Sequence, residues 1–535
     1  MQITFLGHAG FLVETAQSVV ALDPWLSPEG AFDSAWMQLP CNHHLADWLR
    51  EKLSRPDRAR FVYVSHEHRD HFDPAFLRSL PRQDFTVVLP RFRRAALRNA
   101  FAYHPGRVVL CDDGERVPLP DGELRLFLTD AGLNRDSALL VRAEGRTFLD
   151  LNDCKLHDRL PRIAAEEGAM DVFSAQFSGA IWHPTCYEYD RALYGALSRR
   201  KLMGKFEAVA RALEALRPKA YVAAAGPACF LDPALIHLNF EKVNVFPRAE
   251  KLFGYLERRL EGAQPVLLEP MPGDEIDPAS GRLTAHGTER LEEGTFEPYV
   301  RGYADRCASL YSRREERLTA AEVDAVHERL RDELSAKLCR LRLRERVDRP
   351  LYAWLTERPD RVLRVDFRRG ALEQVPAVAD EERHTFAARA QDVARVLDRR
   401  LTWEEFLLSF RFRLGRIPDR YDAVMHGYLA CEVEDLDAFC DSVIQSETRP
   451  ERTVVEAGGK RFEVQRFCPH QGADLSEAWI EGDRYLVCAR HRWRFDLERG
   501  GVCPQNGSSI LARCVGTCGE ETQQEVAEQP AESVA

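Results

Sequence analysis

The chain has 535 residues, 45% hydrophobic and 30% charged, with a formal net charge of −11. That length exceeds a single hydrophobic core and implies two to four domains of ordinary globular composition. The acidic balance argues against nucleic acid as the main partner. The cluster Arg199-Arg200-Lys201 reads as a solvated helix face rather than a phosphate site. No apolar run approaches the ~20 residues of a membrane span. The opening MQITFLGHAGFLVE runs straight into a strand pattern without a leader-like segment, and the fourteen cysteines are scattered as in a reducing compartment. The expectation is a cytoplasmic protein without nucleic-acid or membrane partners.

Residues 1 to 285 alternate strand-like and helix-like segments. ITFLGHAGFLVE, SVVALDP, ARFVYVSH, FTVVLP, RVVLC, LRLFLTD, ALLVRA and RTFLDL are rich in Val, Leu and Phe and read as strands. DPAFLRSL and FEAVARALEALRP read as helices, the second with Phe206, Val209, Leu213 and Leu216 on one face. Such alternation predicts α/β layers.

The strand FVYV is followed by His66-x-His68-x-Asp70-His71, four good metal ligands within six positions. Donors of this type suit zinc or iron. The motif resembles the metal-binding loop of the metallo-β-lactamase superfamily. After the strand the chain curls, so that His66 and His68 can address one metal while Asp70 and His71 address a second. GHAGFLVE and LDPW resemble the superfamily's first hairpin, and Asp153 in FLDLNDC stands where the family places a metal-bridging aspartate, with Asp150 the alternative. His8 either lines the site or steadies a turn. The superfamily's further histidines are missing. FLTDAGLNRDSALLV offers only Asp130 or Asp136 in place of one, and YVAAAGPACF has none in place of the other, with His183 and His237 the nearest. One well-held metal with an open face, two histidines and a carboxylate, is the arrangement of non-haem iron oxygenases.

Residues 286 to 450 form a charged middle segment. Thr319 and Glu322 make a capping box ahead of a helical stripe of Val323, Val326, Leu330, Leu334 and Leu338, and Thr402 with Glu405 makes another. With short strands around LYAWLTERPDRVLRVDFRRGALEQV, this part reads as a small α+β segment packed on the first domain, without evident chemistry.

From 451 to 516 short strands and glycine turns predict a compact β domain, and residues 517–535 form an acidic, disordered tail. Cys468-Pro469-His470 is followed by seventeen residues and then Cys488-Ala489-Arg490-His491. Tetrahedral zinc could take the same four ligands. The paired order fits a Rieske [2Fe–2S] centre better, with Cys468 and Cys488 on one iron and His470 and His491 on the other. Gly472 and Trp493 suit tight loops that shield the cluster. Cys503, Cys514 and Cys518 read as structural.

A metallo-β-lactamase-like αββα sandwich joined to an all-β Rieske domain resembles the CMP-N-acetylneuraminate hydroxylase family. MDVFSAQFSGAIWHP, LRPKAYVAAAGPACFLDP, LEPMPGDEID and HRWRFDL carry that likeness over residues 1 to about 280 and 455 to 512. In the animal hydroxylases the Rieske domain is N-terminal, whereas here it is C-terminal. The resemblance implies an oxidoreductase, an iron-dependent monooxygenase of a small molecule, one option being a sialic-acid or sugar-nucleotide-like compound. The Rieske cluster would receive electrons from a ferredoxin or cytochrome b5-like protein and its reductase. It would pass them to one or two iron ions held by His66, His68, Asp70, His71 or Asp153, with zinc the alternative metal. Oligomers are compatible with this reading, since many Rieske oxygenases pass electrons between subunits. Two other readings stand beside it: a metallo-β-lactamase-type hydrolase with a Rieske redox sensor, and an electron-transfer or scaffold protein with a degenerate first site.

Overall fold

The computed structural model describes residues 1–179, 181–262, 264–312 and 318–517. Two sheets face one another in the first half of the chain. The eight-stranded sheet begins with antiparallel hairpins, Gln2–Gly7 against Gly10–Glu14 and Gly10–Glu14 against Ser18–Leu22. It continues in parallel through Ala59–Tyr63, Thr86–Pro90 and Val108–Cys111. The seven-stranded sheet centres on Asn134–Ala143 and Arg146–Asp150, with Val172–Gln176 and Ala220–Ala224 added in parallel.

Val, Leu and Phe from the inner faces interlock between the sheets: Ile3, Phe11, Val13 and Leu22 from one, Leu124, Leu139, Phe148 and Val222 from the other. Helices cover both outer faces. Leu49, Phe76 and Leu77 pack against the first sheet. Phe206, Val209, Leu213 and Leu216 of the helix Arg191–Leu216 pack against the second, as their spacing requires. Asp190 starts that helix by accepting from the backbone N–H of Ala192 and Leu193 at 2.9 Å. The result is an αββα sandwich.

The middle segment builds a five-stranded sheet, in the order Ala371–Val375, Val362–Asp366, Leu351–Leu355, Arg383–Ala388, Phe412–Ile417. Both capping boxes are formed, opening the helices Ala320–Arg340 and Trp403–Leu408. The stripe from Val323 to Leu338 is buried, and the same core takes in Trp25, Phe32, Trp36, Phe230 and Phe246 of the sandwich. The two units share one apolar core.

Two three-stranded sheets follow. One contains Arg452–Ala457, Lys460–Gln465 and Ala512–Thr517, the other Trp479–Glu481, Tyr485–Val487 and Arg494–Asp496. The tail expected to be disordered lies, beyond Thr517, outside the described residues. Among the described residues no helix is long and apolar enough to cross a membrane.

Candidate metal centres

The strand Ala59–Tyr63 delivers the chain to Ser65, after which it curls. The curl closes through backbone bonds from His71 N and Phe72 N to His68 O, at 3.0 and 2.7 Å. Asp73 ends it by accepting from Phe76 N, capping the helix Pro74–Arg78, and from Leu26 N and Ser27 N. His66, Asp70 and His71 are buried as a consequence.

Each histidine of the pocket is gripped on one ring nitrogen by a carboxylate. His66 Nδ1 lies 3.2 Å from Asp136, His68 Nε2 3.5 Å from Glu404, His71 Nδ1 2.7 Å from Asp23, and His8 Nε2 3.1 Å from Asp70. At His66, His68 and His71 that contact holds the ring so that its other nitrogen faces into the pocket, as at metal-bound histidines, whereas at His8 the carboxylate is Asp70, itself a candidate ligand. His71 Nε2 accordingly lies 3.7 Å from Asp153 and 3.8 Å from Asp70. It has no hydrogen-bond partner despite full burial, and neither has Asp70 Oδ1. Two donor sets, His66–His71–Asp153 and His8–Asp70–His71, each fall within 4.8 Å and share His71.

The charges fit the same reading. Burial, reinforced by His71 and His68, holds His66 down at about 3. At His68 burial is overcome by Glu404, which raises it to about 9. At His71 burial is overcome by Asp70, Asp153 and Asp23. Burial together with Asp153 pushes Asp136 up. The carboxylates around His68 and His71 thus favour positive charge in the pocket, which one or two metal ions can supply.

The structure thus brings His66, Asp70, His71 and Asp153 together with His8, while His68 falls outside both donor sets and reaches them only through His66, its Nδ1 2.9 Å from His66 Nε2. Asp150 turns away: it accepts from Asn152 N and Ser174 Oγ, and burial raises it to about 8. Asp130 accepts from Arg93 N. His183 pairs with Tyr189 and Arg416, and His237 is half exposed beside Glu241. Glu404 was not singled out in the sequence. It reaches His68 from the middle segment, locked in place by Arg135, whose guanidinium also binds Glu67. Arg69 pairs with Glu405 from the same helix.

The second centre lies on two loops. Gly472, at φ +65°, lets the first loop fold back so that its N–H reaches Cys468 O at 2.8 Å. Cys488 N donates to Trp493 O at 2.9 Å across the second loop. Cys468 and Cys488 are buried, with their thiols in mutual contact. The His470 and His491 rings lie 4.5 Å apart, and His470 stacks on Trp493 at 4.1 Å. The buried His470 Nδ1 has no partner. Two thiols on one side and two imidazoles on the other form the donor set of a [2Fe–2S] cluster.

The two centres adjoin within one chain. Lys155 Nζ lies 3.4 Å from His491 Nε2, and Lys155 is two residues beyond Asp153. Asp158 accepts from Arg490 on the second loop at 2.7 and 3.1 Å and from Asp474 N beyond the first loop at 2.9 Å. Tyr421 from the middle segment meets His470 edge-on at 5.7 Å.

Comparison with known proteins agrees with this architecture. Residues 2–131 match the family model of a beta-lactamase superfamily domain, and residues 426–509 match that of a Rieske [2Fe-2S] domain. The chain joins a beta-lactamase-fold domain to a Rieske domain. A protein of Mycobacterium tuberculosis strain H37Rv, provisionally named a Rieske 2Fe-2S iron-sulfur protein, is 29% identical over 531 residues, 95% of this chain and 99% of that protein. The cytidine monophosphate-N-acetylneuraminic acid hydroxylase of Mus musculus is 28% identical over 313 residues, 56% of this chain and half of that enzyme. Among solved structures, CmlA, a diiron beta-hydroxylase from Streptomyces venezuelae, covers 50% of this chain and 52% of its own, at 17% identity and a TM-score of 0.33. A Rieske domain implies a [2Fe–2S] cluster, and the thiol and imidazole pairs described above fit one.

Proposed function

We propose that the protein is an iron-dependent monooxygenase that hydroxylates a small molecule. The observation that carries this reading is the 3.4 Å approach of Lys155 to His491, with Asp153 two residues away. It supports electron passage between the two centres within a single chain. A hydrolytic metal needs no such neighbour. The likeness of half the chain to a hydroxylase supports the same reaction class.

In this reading His66, His68, Asp70, His71 and Asp153 hold iron, and Cys468, His470, Cys488 and His491 hold the cluster. Bound there, the cluster supplies single electrons and the iron supplies dioxygen chemistry. The chain's own contribution is positional. Asp23, Asp136 and Glu404 orient the imidazoles, and Trp493 and Tyr421 shield His470 from water. Asp158 holds both cluster loops against the sandwich. Electrons come from a ferredoxin or cytochrome b5-like donor and its reductase.

The test is metal analysis of anaerobically purified protein, followed by dioxygen uptake under a chemical reductant. Iron in excess of acid-labile sulfide, lost in His68→Ala while the cluster remains, is the expected result. Iron equal to sulfide with zinc in the first site would overturn the reading and favour a hydrolase with a redox-sensing Rieske domain.

A further inference from the structure

The helix Arg191–Leu216 carries Lys201 and Lys205 four residues apart, on one face. The sequence suggests that Arg199-Arg200-Lys201 is a solvated face. Arg199 and Arg200 are indeed exposed, but Lys201 and Lys205 turn inward and are half-buried. Lys155 lies near enough for the three ammonium groups to repel one another, and Lys205 is tied through Gln176 to Asp153, two residues before Lys155. None of the three forms an ion pair within 4 Å among the described residues, and the Lys201 ammonium forms no hydrogen bond among them either. Lys205 donates only to the neutral Gln176, whose amide in turn donates to Asp153. Lys155 meets only the ring of His491. Arg416 stands nearby but is matched by Asp419 at 2.6 Å. His157 lies among them with a buried Nδ1 that has no partner.

Ammonium groups withdrawn from water without counter-charge are costly. Burial and the neighbouring cations push Lys201 and Lys205 down to about 7. The carboxylates nearest to Lys155, Asp153 and Asp136, belong to the metal pocket. Asp153 is the shared counter-charge of Lys155 and Lys205, without an ion pair to either, and no carboxylate offsets Lys201; three half-buried cations beside the metal centres thus outnumber their counter-charge and are arranged for a negative ligand.

We propose that Lys155, Lys201 and Lys205 form a binding site for an oxyanion, the carboxylate or phosphate of the substrate, held between Asp153 and the Rieske histidine His491. The identification of that ligand as substrate rests on the oxygenase reading; the anion site itself does not. Gln176 would couple the two, since one amide touches both Lys205 and Asp153.

The experiment titrates full-length protein, with cluster assembled and first site metal-loaded, with inorganic phosphate and separately with acetate. Chloride at matched ionic strength is the control. The cluster's reduction potential and the thermal midpoint are followed. Saturable binding of one anion is expected, with a lowered potential, because an anion near the cluster disfavours its reduced form. Lys201→Gln/Lys205→Gln should weaken binding at least tenfold, and Lys201→Arg/Lys205→Arg should restore most of it. Tighter binding of phosphate or of acetate identifies the group. Failure of both anions to exceed chloride, or wild-type affinity in the folded Gln variant, overturns the proposal. Wild-type titration alone decides the matter if that variant does not fold. Metal content as purified is measured separately. Anion binding by protein that holds zinc and no excess iron in the first site refutes the oxygenase and leaves the anion site standing; excess iron without anion binding does the reverse.

Discussion

Asp158 and Arg490 form a two-pronged, buried ion pair across the junction of the sandwich and the Rieske domain. The same carboxylate accepts Asp474 N, and Arg490 donates onward to Gln471 O at 2.9 Å. One side chain of the first domain thereby organises both loops that carry the cluster ligands.

Removing one partner of a buried pair strands the other charge, at a cost of about 3–5 kcal/mol. Asp158→Ala is expected to lose about that much in denaturant unfolding and to slow reoxidation of the cluster. Arg490→Ala should resemble it. An Asp158→Ala protein with wild-type unfolding would show that the pair is not the clamp.

Asp153→Asn is expected to reduce first-site metal by tenfold or more while leaving the cluster spectrum unchanged. Asp153 faces His71 at 3.7 Å, whereas Asp150 is engaged by Asn152 and Ser174. Metal content of Asp153→Asn and Asp150→Asn measured side by side checks the assignment. Greater loss in Asp150→Asn would reverse it.

Cys488→Ser is expected to abolish acid-labile sulfide and visible absorbance but to retain first-site metal. The first centre and the cluster site share no residue, so each can fill without the other. Simultaneous loss of both metals in a folded protein would contradict that independence.

The lysine cluster gives stability a pH dependence. Lys201 sits at about 7 when folded and near 10.4 unfolded. The folded state therefore binds fewer protons between those values, and its stability rises with pH across that window. Below about 7 the full penalty remains. Lys201→Met should raise stability at pH 7 by roughly 1–3 kcal/mol in the absence of oxyanions, after allowance for partial solvation. Unfolding measured from pH 6 to 10 checks both sign and window; a flat difference between wild type and variant would count against it.

The strand runs, the amphipathic stripes at Phe206–Leu216 and Val323–Leu338 and both capping boxes are local patterns, and they were legible in the sequence. So were the two ligand motifs, because six and twenty-four consecutive positions contain them. The orienting groups were not. Glu404 stands 336 residues from His68 and is indistinguishable in sequence from any other helix glutamate. Asp23 was visible only as part of LDPW, and its hold on His71 depends on the parallel pairing of Ser18–Leu22 with Ala59–Tyr63. Lys201 looked solvated because its neighbours Arg199 and Arg200 are. Which side of the helix the Rieske loops cover is a property of domain packing, which leaves no periodic trace.

The 332-residue separation of Asp158 and Arg490 orders events during synthesis. At about 5–20 residues per second, the donors from His66 to Asp153 leave the ribosome roughly half a minute before His491. The middle segment, which shares the sandwich's core and supplies Glu404 to His68, is also translated before the cluster loops. The Rieske loops arrive last and are held against the sandwich by Asp158. Loading of the first centre before the second is the order that this succession of domains permits.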